Sequence, residues 1–308
     1  MVSIIVPVFN KADLIGNCLS SLINQTYKDY EVIIIDDGSM DKSKDVINLM
    51  IYNDSRFKYY YQKNQGVSVA RNVGISKATR DYICFLDADD EYNKYYIVKM
   101  LFSIGNNDAC ACPHYINSEK NRKKAKFSRP DSGFIYSYLA NICTPNTNSW
   151  LVRRDLIKKN NIYFKENISW GEDMMFFSEV ILKANKVVFC DEYLTIYNVG
   201  ITDSLSSNNI EKIKKDIYWL NIVQCNINNS LLDCEYKMKC INMIEGYRLP
   251  GAILYRILYN INNLSKKDLY AILYENRAYL RKLSFVNGLR SLKMYLLYLF
   301  IRTLIFFK

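Results

Sequence analysis

Three carboxylates close one hydrophobic run in this chain, where Tyr82-Ile83-Cys84-Phe85-Leu86 leads into Asp87-Ala88-Asp89-Asp90. Carboxylates one residue apart can hold a hard divalent cation, and such a cation can hold a diphosphate. A polar turn that merely ends a strand is the competing reading of the same residues. Two more acidic sites stand at element ends: Asp36-Asp37 ahead of Gly38-Ser39, and Glu172-Asp173 ahead of Met174–Ala184. The second pair also suits plain capping of a helix N-terminus. Between the acids, Lys63-Asn64-Gln65-Gly66 leads to Arg71-Asn72. Arg71, one turn into a helix, suits a phosphate, an acid that needs orienting, or a structural ion pair. Pro7-Val8-Phe9-Asn10 ends the first apolar run and offers backbone groups to a flat base.

The elements that must position these residues alternate in type. Val2–Phe9 is a continuous apolar run suited to a strand buried on both faces. Ala12–Gln25 carries Leu14, Ile15, Cys18, Leu19, Leu22 and Ile23 at helical spacing. Strands are expected at Glu31–Ile35, Phe57–Tyr61 and Asp81–Leu86, with helices over Asp41–Ile51, Gly66–Ala78 and Asp173–Ala184. Strands separated by helices of about a dozen residues predict a parallel sheet with right-handed crossovers. The C-terminal strand ends then share one edge, where ligands bind in open α/β sheets. Acids gathered there repel one another, and a cation would offset that repulsion. Lys120–Lys126 reads as an exposed basic loop, and residues from Asn208 onward read as helical.

The 308 residues suffice for one large domain or a domain with an appendage, and half of them are apolar. The nine cysteines have no paired short spacings, and no second pair joins Cys110 and Cys112 to form a zinc site, so reduced thiols in a cytosolic protein are expected. No basic leader precedes the first strand, so no secretory signal is expected. Charge is unevenly placed: residues 1–200 hold 25 Lys/Arg against 23 Asp/Glu, and residues 201–308 hold 16 against 8. The basic C-terminal part points to an anionic partner, a nucleic acid or a membrane surface. No nucleic-acid recognition motif accompanies it, so no nucleic-acid partner is expected.

The blocks Ser3–Asn10, Ile35-Asp36-Asp37-Gly38-Ser39, Gly66 to Ala70-Arg71-Asn72, Phe85–Asp90 and Trp170-Gly171-Glu172-Asp173 stand in one order. Together they closely resemble glycosyltransferase family 2, of the bacterial surface-polysaccharide type, over residues 1 to about 200. The resemblance implies a GT-A (Rossmann-like) α/β fold: a mostly parallel sheet flanked by helices, spanning residues 1–205. A helical C-terminal region, 206–308, would follow. It also implies a nucleotide-diphosphate sugar donor and inversion at the anomeric carbon. Pro7, Val8 and Phe9 would then lie along the base through their backbone, and Asp37 would hydrogen-bond the base, usually uracil. Asp87, with Ala88 beside it, would meet the ribose side of the donor. Asp89 would hold Mn²⁺ or Mg²⁺ against the phosphates, and Asp173 would be the general base. Inverting transfer needs such a base on the face opposite the leaving diphosphate. Glu172 would raise its pKa by repulsion; Trp170 and Asp90 would support the site. Two departures stand out. Asn198 occupies a position where an Arg is common, and the only histidine, His114, comes too early to be a late metal ligand. His114 is acceptor-side or structural.

The tail Ser291–Lys308 has an uninterrupted apolar run of only eight residues, Met294–Ile301, against roughly twenty needed to span a bilayer. With Lys293, Arg302 and Lys308 it suits a helix lying in a membrane interface, or one packed on protein. Arg277, Arg281, Lys282 and Arg290 add charge suited to an anionic leaflet. The expectation is a peripheral enzyme on the cytoplasmic side of the cell membrane, anchored through residues 285–308, with a lipid-linked saccharide acceptor. Two alternatives are a catalytically silent nucleotide-sugar-binding scaffold and a nucleotidyltransferase. The latter usually needs a Gly-rich basic loop after the first strand, and Pro7–Ala12 is not one.

Overall fold

The computed structural model describes residues 1–118, 121–129, 133–199, 209–286 and 288–307. It separates into two compact units, one of Met1–Arg129 and Cys143–Ser204, the other of Pro130–Ile142 and Leu205–Lys308. The sequence suggests a single boundary at 205/206, whereas residues 130–142 belong with the helical unit. The contacts of that segment are long-range. In it the backbone N–H of Tyr136 donates to the Tyr236 hydroxyl at 3.2 Å, and Arg290 donates to the carbonyl of Ala140 at 2.8 Å.

Eleven strands are described in the first unit: β1 (Val2–Val8), β2 (Tyr30–Asp36), β3 (Phe57–Tyr61), β4 (Tyr82–Phe85), β5 (Glu91–Tyr92), β6 (Ala109–Ala111), β7 (His114–Ser118), β8 (Asn121–Lys124), β9 (Trp150–Arg153), β10 (Val187–Phe189) and β11 (Thr195–Asn198). The main sheet has the order β10-β6-β9-β4-β1-β2-β3. β1 and β2 are buried along their whole length, as continuous apolar runs between helical layers should be. Register aligns Val8 with Asp36 and Asp36 with Tyr61, so β1, β2 and β3 end together. β4 pairs with β1 as far as Ile5–Phe85, and Leu86 N–H then donates to Ile5 C=O at 3.0 Å. The acids that follow Leu86 therefore emerge at the same edge.

One strand breaks the parallel pattern. β9 runs antiparallel between β4 and β6, with Trp150 opposite Ala111. Its N-terminal end, preceded by the short 3₁₀ turn Thr147–Ser149, thus arrives at the edge where parallel strands finish. The second sheet, β5-β11-β7-β8, brings Asn198 at the end of β11. It also corrects the expected loop at 120–126. Residues 121–124 form a fully exposed strand paired with β7, while Lys120 lies outside the described residues. With no buried face, β8 shows no hydrophobic alternation; backbone pairing holds it, with Arg122 over the Tyr115 ring at 4.3 Å.

Beneath the edge lies an aromatic cluster. Phe164 stacks on Phe176 with centroids 4.0 Å apart, Trp150 stacks on Phe177 at 4.7 Å, and Phe85 meets Phe164 edge-on at 5.2 Å. Each such pair adds about 0.5–1.5 kcal/mol beyond its burial. Because Phe176 and Phe177 belong to helix Glu172–Lys183, this packing fixes the helix end that carries the third acidic site.

Among its described residues the second unit is helical. Helices Lys212–Asn228, Cys234–Met243, Leu249–Tyr259, Lys266–Glu275, Arg277–Leu280 and Gly288–Phe307 follow Phe134–Leu139. A π turn, Ile244–Arg248, precedes Pro250. The proline ring would clash with the carbonyl four residues back in a regular helix, and the widened turn relieves this. In the last helix Ser291, Met294 and Ile301 are buried, while Leu289, Leu292, Leu296, Leu299 and Phe300 are exposed. No described helix is long and apolar enough to cross a membrane.

Candidate active site

Gly66, at φ +92°, makes the turn that starts helix Val67–Lys77, a conformation that side-chain-bearing residues rarely adopt. Asp37 holds the turn closed. Its Oδ1 accepts from Gln62 Nε2 at 2.7 Å and Gln65 N–H at 2.9 Å, and its Oδ2 from Gly66 N–H at 2.8 Å. The buried Asp37 carboxylate, expected beside the base, thus ties the 62–66 loop to the end of β2. Asp36 does similar work, accepting from Ser39 N–H and the Tyr59 hydroxyl. Pro7 and Val8 are buried in β1, and the Val8 carbonyl already accepts from Asp37 N–H at 2.8 Å. Of the three residues expected along the base, Phe9 alone is exposed.

One turn into that helix, Arg71 points into the acid cluster. Its Nη2 lies 2.8 Å from Asp87 Oδ1 and its Nη1 3.3 Å from Glu172 Oε1, with the guanidinium 5.0 Å over the Phe164 ring. The sequence left Arg71 between phosphate binding, acid orientation and a structural pair; the geometry shows it paired to two acids. A second cation arrives from the loop after β1, where Lys11 Nζ sits 2.7 Å from Asp89 Oδ2. The positive charge expected to offset the carboxylates is therefore supplied, in this structure, by Arg71 and Lys11. Among the described residues no group of three or more His, Cys, Asp or Glu is arranged to hold a metal. Asp87 and Asp89 are the partly exposed carboxylates of the loop, and carboxylate oxygens are donors that Mg²⁺ and Mn²⁺ accept.

Asp90 is fully buried and holds the loop from below. Its Oδ2 accepts from Asn148 Nδ2 and its Oδ1 from Asn198 N–H. Asn148 Oδ1 in turn accepts from Asp87 N–H at 2.9 Å, and Asn198 Nδ2 donates to the Asp89 carbonyl at 2.7 Å. Ala88, between them, is buried. Lys11, Asn148 and Asn198 are the positioning residues that sequence reasoning missed. Asn198 was noticed only as a missing arginine, and its side chain instead grips the acidic loop.

Burial, reinforced by repulsion from Asp87 and Asp89, pushes the Asp90 carboxyl up to about 9 from its ordinary 3.8. Between those values the folded chain keeps a proton that the unfolded chain has lost, so Asp90 makes stability fall as pH rises, by at most about 1.4 kcal/mol per pH unit. Asp90→Asn should cost about 1–3 kcal/mol at acidic pH through the lost Asn148 bond. It should also flatten the decline of melting temperature toward pH 9. A variant as steeply pH-dependent as the wild type would refute this role.

Glu172 and Asp173 open helix Glu172–Lys183 after Gly171 at φ +80°. Asp173 Oδ1 accepts from Met174 N–H at 2.7 Å. Burial raises the Asp173 carboxyl above its ordinary value; Asp87 adds repulsion, while Met174 N–H and Arg71 oppose the rise. The sequence assigned that repulsion to Glu172, but Glu172 is held by Arg71. Glu172 is itself raised, chiefly by burial and then by Asp173. Tyr197 faces the same cluster, its hydroxyl raised by burial and then by Asp90, Asp87, Asp89 and Asp173. Trp170 is half-buried just before the glycine. His114 lies on β7, its ring 6.4 Å from that of Tyr197, and burial pushes it down to about 4, so it is neutral near pH 7. It bonds none of the clustered acids among the described residues.

The family model for Glycosyl transferase family 2 matches residues 3–202. An uncharacterised glycosyltransferase of Haemophilus influenzae is 32% identical over 225 residues, 72% of this chain and 87% of that one. A cholesterol galactosyltransferase of Borreliella burgdorferi is 29% identical over 85% of this chain and 78% of its own. An uncharacterised glycosyltransferase of Rickettsia conorii is also 29% identical, and the match spans only 43% of its length. Among solved structures, TarS 1-349 of S. aureus in complex with UDP-GlcNAc superposes with a TM-score of 0.71 at 19% identity, covering 91% of this chain and 88% of TarS. The mannosyltransferase PcManGT of Pyrobaculum calidifontis, in complex with GDP-Man and Mn²⁺, gives 0.60 at 14% identity, covering 96% and 84%. The fold is GT-A, and the chain belongs to glycosyltransferase family 2.

Proposed function

We propose that this chain transfers a sugar, with inversion, from a nucleotide-diphosphate donor, most naturally a UDP-sugar, to a hydroxyl of a saccharide acceptor in cell-surface polysaccharide synthesis. The observation that carries this reading is the Arg71 junction, which ties the acidic loop at Asp87 to Glu172, the neighbour of a raised, half-buried Asp173. Solved relatives of the fold holding UDP-GlcNAc and GDP-Man support the donor class.

Asp173 takes the proton of the acceptor hydroxyl as that oxygen bonds to the anomeric carbon. The bond from that carbon to the diphosphate breaks on the opposite face, and its electron pair leaves with the diphosphate. Arg71 keeps Asp87 and Glu172 in place while this happens. Exposed Phe9 at the end of β1 offers a ring to the base. Mn²⁺ or Mg²⁺ would be held by Asp89 together with the donor's phosphates, and would supply positive charge to the departing diphosphate. Lys11 would then release Asp89 and be free to meet a phosphate oxygen. Screening nucleotide sugars for metal-dependent hydrolysis tests the reading. Turnover of a UDP-sugar is expected, whereas tight UDP binding with no sugar hydrolysed would favour a silent scaffold.

The acceptor is proposed to be lipid-linked and the protein peripheral to the membrane's cytoplasmic face. The last helix supports this, because leucines and Phe300 are exposed beside Lys293 and Arg302, a composition suited to an anionic interface. The relative named cholesterol galactosyltransferase supports a lipid-borne acceptor. Removing residues 285–308 should shift most of the protein from the membrane fraction to the soluble one. If the truncated protein stays with the membranes, the tail is not the anchor.

A further inference from the structure

A cavity of about 210 Å³ opens within the second unit, between helices Lys212–Asn228 and Leu249–Tyr259 and the π turn before the latter. Its walls include Trp219, Tyr247, Tyr255 and Met294, and two arginines, Arg248 and Arg256, also line it. One carboxylate, Asp216, answers them. Asp216 Oδ2 lies 3.0 Å from Arg256 Nε, and Oδ1 accepts from Trp219 Nε1 at 3.2 Å. Arg248 has no ion pair of its own among the described residues. It donates to the Asn141 side-chain oxygen and lies 5.5 Å from the Trp219 ring. Burial lowers its pKa, a shift that Tyr247 and Asp216 oppose without reversing.

Among the described lining residues, two arginines stand against one aspartate, an excess of one positive charge. Asn141 adds a second donor. Its oxygen is turned to Arg248, its amide nitrogen bonds no other group among the described residues, and Arg290 anchors this corner through the Ala140 carbonyl. Whole small-molecule pockets run roughly 300–1,000 Å³, so a cavity this size takes a headgroup rather than a complete nucleotide sugar. Its donors and its excess charge select an anion, and a planar fork beside an aromatic wall suits phosphate oxygens.

We propose that this cavity receives a phosphate or diphosphate group, carried by a membrane lipid headgroup or free in solution. Met294, in its wall, is buried on the inner side of the last helix, whose opposite side exposes Leu292, Leu296 and Leu299. The site lies in the second unit, and its occupancy can be read without any sugar transfer.

Calorimetric titration of the full-length chain with inorganic pyrophosphate, with divalent cations chelated to silence the acidic loop, tests the proposal. Arg248→Gln should weaken binding by about tenfold or more, as expected for a charge-assisted contact, and Arg248→Lys should recover part of it. Ala252→Leu fills the cavity without touching either charge and should weaken binding equally, which guards against a variant that merely misfolds. Exposed Lys159→Gln, in the first unit, is the control. The same variants are then partitioned onto phosphatidylglycerol and phosphatidylcholine vesicles. Loss of both pyrophosphate and phosphatidylglycerol binding supports a lipid headgroup as the source, and loss of pyrophosphate binding alone supports a soluble phosphate. Unchanged pyrophosphate affinity in Arg248→Gln and Ala252→Leu, or no binding by the wild type, overturns the proposal.

Discussion

Asp173→Asn should lower sugar transfer by about 10²–10⁴-fold while leaving donor affinity within about twofold, the signature of removing a general base. The substitution is nearly isosteric. Its oxygen can keep the bond from Met174 N–H, and the helix stays seated through Phe176 stacked on Phe164 and Phe177 stacked on Trp150. What disappears is the proton acceptor. Because burial raises the Asp173 carboxyl, the acidic limb of the wild-type pH–rate profile should lie above the range of a free aspartate. Below that limb the base is protonated and transfer falls; above it the base is free. In Asp173→Asn the limb should vanish along with most of the rate. A variant with near-normal turnover would remove Asp173 from the mechanism.

Arg71→Leu carries the second large effect, on stability and activity together. The side chain is 5% exposed and pairs with Asp87 and Glu172, so its removal strands two carboxylates beside a third. Deleting one partner of a buried ion pair costs roughly 3–5 kcal/mol; Asp87 is partly open to water, which puts the expected loss near the lower figure. The pH dependence should move as well. Arg71 holds the Asp173 carboxyl down, so without it the acidic limb shifts to higher pH and donor binding weakens. Arg71→Lys should restore part of the stability, since an ammonium cannot reach both acids with the fork of a guanidinium. Thermal melts alongside kcat and KM profiles separate the two effects. Wild-type melting and kinetics in Arg71→Leu would show the junction to be ornamental.

Much of the first unit is legible in the sequence because its strands are buried on both faces and read as apolar runs. The strands Val2–Val8, Tyr30–Asp36 and Tyr82–Phe85 lie within a residue of the runs Val2–Phe9, Glu31–Ile35 and Asp81–Leu86, and the acids that follow the second and third gather at the edge where these strands end. Asp87, Arg71 and Glu172 do meet, although they lie up to 101 residues apart. What composition could not show is the part that depends on β9. An antiparallel strand inserted between β4 and β6 carries Asn148 to the edge from its N-terminal side, and nothing in Asn146-Thr147-Asn148 announces that arrival. Lys11 was hidden differently. A lone lysine in a loop reads as solvated until the fold sets it 2.7 Å from Asp89. The strand Asn121–Lys124 and the helical unit's claim on residues 130–142 share one cause, since long-range partners rather than local pattern decide both.

The central claim is single displacement at the anomeric carbon with Asp173 as base, and the anomeric configuration of the first product tests it most directly. Proton NMR can follow hydrolysis of an α-linked nucleotide sugar by the full chain, with water as acceptor, before the released sugar mutarotates. The account predicts that the β-anomer forms first and that Asp173→Asn abolishes its formation. The α-anomer appearing first would mean retention, and would contradict the mechanism.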